Sequence, residues 1–323
     1  MSSSISSITD LTVKAAMEAI ASESVTTEDK IQMLIELAQG FQKQPKTPKD
    51  LRNAVSLYYQ AYEMCKEDYP LLKARTMVGM ASALQAIPTA GTDLLLQAKA
   101  GYEEALPILE DLATLQEVAE VQMNLGLVLQ SLASYNLARI TDSIKAYQKA
   151  LEVFTWDKFP QEYAILHNNI AIAHLSMPLS SEKEGLRHGL AVRSFETALA
   201  HIKLMEHPRE YAMLQNNLGN ALQYLPSSHP VDNNLRAISA YDEALKVRNP
   251  RDTPLEYANT IANKANALAN IPDDLECVEE GHLSNLLQAS NYYQEALVIF
   301  TKYEQVEQIA VVTEALKGIE ELR

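Results

Sequence analysis

Apolar residues along this chain fall on one side of successive segments at helical spacing, and polar stretches containing proline separate those segments. The pattern is clearest at 208–248. PREYAMLQNNLGNALQYLP reads as one amphipathic helix and LRAISAYDEALKV as a second. The stretch SSHPVDNN between them is expected to remain a loop, because Pro230 lacks an amide hydrogen and its ring clashes with a preceding turn. Two helices that are each apolar on one side only must bury those sides against something.

The same unit recurs and supplies the partner. An aromatic followed by x-x-Ala-Leu stands at Tyr102, Tyr147, Phe195, Tyr241 and Tyr293, with a weaker relative at Tyr58. Successive aromatics lie 44, 45, 48, 46 and 52 residues apart. Pro-x-Glu-Tyr-Ala begins at Pro160, Pro208 and Pro254. Asn169, Asn217 and Asn263 each follow that Ala by five residues, and Pro178, Pro226 and Pro272 follow it by fourteen. Self-similarity at such a period predicts stacked helical pairs, each burying its face against its neighbours.

In chain order, residues 1–9 are expected to be a loose tail and 10–323 a single solenoid, with a short helix from about Asp10. Thr26 and Asp29 frame a capping box ahead of 28–44. Thr47, Pro48 and Asp50 open 49–66. The stretch 70–87 pairs with 93–113, and Pro107 is expected to kink or split the latter. Units at 116–155, 160–205 and 208–248 follow. Thr253, Pro254 and Glu256 predict a further capping box, and 283–302 completes the sixth pair. Lys264 occupies the place held elsewhere by Ile170 and Leu218. The acidic loop with Asp273, Asp274, Glu276, Glu279 and Glu280 offers its charge a partner. The helix 304–322 suits a terminal cap.

Asn-Leu-Gly-Asn-Ala at 217–221, followed by Ala237, Tyr241 and Ala244, resembles the tetratricopeptide repeat (TPR). Gly219 and Ala237 lack bulk, so paired helices can approach there, and Tyr241 is expected to fill the space between one pair and the next. The equivalent small residues are Ala81, Gly126, Ala171 and Ala265. The resemblance spans residues 28–322 and departs from the common form of about 34 residues in its longer helices and loops. It implies an all-α, right-handed superhelical solenoid of about six helix pairs, with an N-terminal helix and a C-terminal capping helix. The variant PxEYAxxxNNLGNAL with YxEALxV is similar to stand-alone TPR proteins abundant in cyanobacteria.

Charge narrows the partners. The 323 residues carry a net charge of −15, which disfavours nucleic acid and a broad anionic membrane surface. No apolar run approaches the length of a membrane span. The start of the chain is Ser-rich and lacks a basic signal region. Cys65 and Cys277 sit in distant repeats, so free thiols in a reducing, cytoplasmic setting are expected.

Chemistry is sparse. His167 and His174 are seven residues apart on one helix but lack a third ligand, so no metal site is expected. Neither a cofactor motif nor a catalytic constellation is present, and Trp156 stands alone near a helix end. One polar set remains. Asn168, Asn216, Asn220, Gln223, Asn259 and Asn266 fall on first helices, at positions that the TPR resemblance places on the inner groove. Asn169, Asn217 and Asn263, one step around, are expected to serve structural hydrogen bonds. Amides donate and accept, so the first set suits the main chain of a bound peptide.

The resulting expectation is a non-catalytic scaffold that binds client proteins on the solenoid groove. The alternative is a module that senses a peptide or small ligand and regulates a partner. Resemblance to cyanobacterial-type proteins implies clients in the assembly or repair of photosynthetic complexes, photosystem II among them. Such clients would hold the chain peripherally at the thylakoid membrane.

Overall fold

The computed structural model describes residues 11–88, 91–177, 184–226, 230–273 and 283–322. The expected N-terminal tail, Pro178, His229, Cys277, His282 and the acids Asp274, Glu276, Glu279 and Glu280 lie outside the described residues. Fourteen helices and no strand occur among the described residues. The first seven are α1 (Leu11–Ser22), α2 (Thr27–Lys43), α3 (Pro48–Cys65), α4 (Pro70–Ala86), α5 (Asp93–Leu112), α6 (Leu115–Ser134) and α7 (Ile140–Leu151). The others are α8 (Pro160–Leu175), α9 (Glu184–Leu199), α10 (Pro208–Gln223), α11 (Pro230–Leu245), α12 (Pro254–Ala269), α13 (Leu283–Lys302) and α14 (Val306–Leu322). None among the described residues is long and apolar enough to cross a membrane.

Local chemistry explains the boundaries. Prolines open α3, α4, α8, α10, α11 and α12, where a missing amide hydrogen removes a donor that has no helical partner anyway. Pro230 is one of these, so it starts α11 and does not hold the chain in a loop. The Thr26–Asp29 capping box forms as the sequence suggests. A second closes between Thr114 and Glu117. The one expected at Thr253 does not form. Its hydroxyl instead accepts from the Asn249 amide at 3.0 Å and so serves the preceding loop. Pro107 does not split α5, because it lies on the exposed side, where the carbonyl it leaves unbonded can face water.

The chain divides into two compact units, ending and beginning at Phe154 and Thr155. In the first unit α2/α3, α4/α5 and α6/α7 form pairs, and each second helix packs on the first helix of the next pair. One continuous apolar cluster runs from Val13 to Ala146. In the second unit α8/α9, α10/α11 and α12/α13 repeat the arrangement, and α14 packs on α13. First helices also touch one another: α2 with α4, α4 with α6, α8 with α10, and α10 with α12.

Two seam aromatics seal their own pairs, whereas the Tyr58 ring of α3 lies on Gly79 of α4, the first helix of the next pair. A Cβ added at Gly219 would come within 2.5 Å of the Tyr241 ring, so the ring lies directly on the glycine backbone. Tyr147 occupies Gly126 in the same way. Both tyrosines therefore fill the cleft inside a pair, where the sequence suggested a gap between pairs. The residue seven positions after each aromatic is a second anchor: Cys65, Leu109, Phe154, Ile202 and Phe300 are all buried. Arg248 takes this place in the fifth pair.

Candidate functional site

Asparagines join the first helices of the second unit. Asn217 on α10 donates to Oδ1 of Asn168 on α8 at 2.7 Å. Asn263 on α12 donates to Oδ1 of Asn216 on α10 at a longer 3.5 Å. Asn168 and Asn216 in turn donate to Oδ1 of Asn169 and Asn217 beside them. Asn168 and Asn216 are buried. Asn168 and Asn216, expected on the groove, therefore join Asn169, Asn217 and Asn263 in one ladder across three helices. Such a ladder satisfies buried amides that would otherwise be costly.

A second network lies one turn further along α10. The Tyr241 hydroxyl donates to Oδ1 of Asn220 at 2.7 Å and receives a hydrogen bond from Nε2 of Gln223. Gln223 also donates to the Asn263 carbonyl at 3.1 Å, and its Oε1 accepts from Asn266 at 2.7 Å. Asn220, Gln223, Asn263 and Asn266 line a half-open cleft of about 370 Å³, with Leu175 and Tyr224 contributing apolar walls. Of the six residues singled out in the sequence, Asn220, Gln223 and Asn266 meet here, and Asn168 and Asn216 meet in the ladder. Asn259 stands exposed on α12 and takes part in neither.

Gln223 has counterparts that sequence reasoning missed. Tyr58 donates to Gln42, Tyr102 to Gln85 and Tyr147 to Gln130. Burial pushes the pKa of each of these phenols up, that of Tyr58 to about 12, so they remain neutral donors. The signal was present in the sequence: a glutamine stands three residues before the closing proline in Gln85–Pro88 and Gln223–Pro226.

Lys264 is buried, and its partner is Asp242 on α11, with Nζ–Oδ1 at 2.6 Å. The acidic loop is not that partner: its one described member, Asp273, accepts from the amides of Ser284 and Asn285 at the start of α13. Burial pulls the Lys264 ammonium down, but Asp242 more than offsets this and the net direction is upward.

Departures from the repeat gather around Trp156. In the later pairs the tyrosine of Pro-x-Glu-Tyr-Ala bonds a glutamate on the following second helix: Tyr211 with Glu243, Tyr257 with Glu295. Thr197 stands where that glutamate would be in the 160–205 unit. Tyr163 instead meets His167 edge-on at 4.5 Å, and Trp156 stacks on His201 at 4.5 Å. His167 Nδ1 lies 3.2 Å from Ser194 Oγ. Burial, reinforced by the neighbouring His201, pushes the His167 imidazole down to about 4.

In the first unit a cleft of about 380 Å³ opens among α2, α4 and α6. Gln39, Asn124 and the Arg75–Glu117 pair line it, the pair held by contacts at 2.9 and 3.2 Å.

No family model and no curated protein matches the chain. Solved structures do. An ATPase with a tetratricopeptide repeat sensor, PH0952 from Pyrococcus horikoshii, is similar over 93% of this chain at 13% identity with a TM-score of 0.61. The fold is TPR-like. The chain spans 42% of that protein's length. BtubC from P. vanneervenii is similar over 75% of this chain and 93% of its own, at 19% identity and a TM-score of 0.48.

Proposed function

We propose that this TPR-like chain is a non-catalytic scaffold that holds client proteins against the first-helix face of its repeats. The observation that supports this most is the lining of that face in each unit. The amides of the second unit and the Arg75–Glu117 pair of the first are held in place by their neighbours there, which gives a surface suited to recognition. Repeat proteins present such surfaces as extended binding areas. The finer reading, that clients are photosystem II subunits or assembly factors met at the thylakoid membrane, rests on the sequence resemblance alone.

The test is capture from a cyanobacterial lysate, probed for photosystem II subunits. Gln39→Ala, Asn124→Ala and Asn259→Ala should together reduce capture and leave the melting curve in place. Equal capture by the variant would move binding off this face, and no photosystem II subunit in the bound fraction would sink the finer reading. A second reading, a ligand-sensing module, is favoured by the half-open cleft at Asn220 and Asn266 and by the likeness to a protein whose repeats are named as a sensor.

A further inference from the structure

The cleft at the end of α10 differs from the ladder beside it in what its amides leave available. The Tyr241 hydroxyl occupies Oδ1 of Asn220, so Nδ2 of Asn220 is the end turned away from that bond. Asn266 commits its Nδ2 to Gln223, so its Oδ1 remains an acceptor. Gln223 is bonded at both ends, to Tyr241 and the Asn263 carbonyl through Nε2 and to Asn266 through Oε1. It therefore holds Asn266 directly and Asn220 through the Tyr241 hydroxyl. The result is one oriented donor and one oriented acceptor on adjacent helices. A flexible amide would have to be ordered on binding, but these are ordered already.

The remaining walls say what kind of molecule fits. His188 is the ionisable lining residue, and none is Lys, Arg, Asp or Glu. A charged ligand would lose its hydration there with neither a carboxylate nor a lysine or arginine to pair with. The net charge of −15 further disfavours an anion. Tyr224 is 64% exposed at the rim and offers a ring face for stacking, with Leu175 on the lining. About 370 Å³ is enough for a molecule of nucleoside size. An extended peptide would need available amides along the whole stripe, yet Asn168 and Asn216 are committed to the ladder.

We propose that this cleft binds a small neutral nitrogen heterocycle of the nucleobase class, as the free base or nucleoside. The inference rests on the ligand-sensing reading and is independent of client capture. Calorimetry on the full chain with adenosine, guanosine, cytidine and uridine tests it, each beside its 5′-monophosphate. At least one nucleoside should bind saturably, and its monophosphate should bind at least about tenfold more weakly. Asn220→Asp keeps the acceptor that Tyr241 uses and replaces the free donor by a carboxylate oxygen. Tyr224→Ala removes an exposed ring. Each should weaken binding by about tenfold, whereas Asn259→Ala should bind like the parent. Circular dichroism on every variant verifies that the helices persist. Four nucleosides that give no binding would overturn the proposal, as would a monophosphate that binds equally well or unchanged binding by both cleft variants. Client capture that continues without nucleoside binding would sink this inference and leave the scaffold standing.

Discussion

The Tyr147 hydroxyl donates to Oε1 of Gln130 at 2.8 Å, and the same bond closes the α2/α3 and α4/α5 pairs, whereas in α10/α11 the direction reverses and Gln223 Nε2 donates to the Tyr241 hydroxyl. In the α8/α9 pair the aromatic is Phe195 and the residue in the glutamine's place is Leu175. In that pair both the hydroxyl and the amide are absent. The chain thus contains both solutions to one packing problem, polar and apolar, at equivalent sites.

Tyr147→Phe should therefore destabilise by about 1–3 kcal/mol, because it leaves the Gln130 amide without its partner in a closed seam. Adding Gln130→Leu reproduces the Phe195–Leu175 combination and should recover most of the loss. Urea unfolding of the two variants checks this. A double variant no more stable than the single one would show that the bond is incidental.

Gly219→Ala should destabilise by about 1–3 kcal/mol through overpacking, since the new Cβ meets the Tyr241 ring at 2.5 Å. Gly189→Ala, where nothing lies within 4 Å of the new Cβ, should be neutral or mildly stabilising. Thermal melts of the pair separate crowding from helix propensity.

The helical pairs were legible because proline and aromatic registers mark both ends of each unit. The seams were legible only in part. A glycine at 219 announces close approach, but nothing in its spacing says whether the ring on it comes from the same pair or the next. The ladder was hidden for a related reason. Asn168 and Asn169 differ by one step around α8, and only the neighbouring helix α10 decides which of their atoms it reaches. The Trp156–His201 stack joins two loops 45 residues apart, at a distance where local pattern carries no information.

Arg248 fills an anchor position that is apolar in the other pairs and bonds Thr260 Oγ1 at 2.7 Å, where the equivalent α8 and α10 residues are Leu166 and Leu214. Burial pulls its guanidinium down, with Glu256 acting the other way. Arg248→Ala should cost about 1–3 kcal/mol through lost packing and hydrogen bonding. Arg248→Ile with Thr260→Leu removes both partners together and should be at least as stable as the parent. Denaturant midpoints decide it. A double variant weaker than Arg248→Ala would show that the arginine has a role beyond filling the anchor.

Acid should destabilise the second unit through His167. Its folded value is near 4, below the ordinary 6.5, because the buried imidazole resists charging. Between those two values the unfolded chain takes up the proton and the folded chain does not. Stability therefore falls as pH drops through that window and is independent of His167 above it. The loss is on the order of 3 kcal/mol by the acid end. His174, also pushed down by burial, acts in the same direction. Urea unfolding should then give a lower midpoint at the acid end of this window than near neutrality, and His167→Gln should flatten the difference. Equal pH slopes for the parent and His167→Gln would mean that the imidazole charges inside the fold as readily as outside, and that the Tyr163–His167–His201 cluster opens to water.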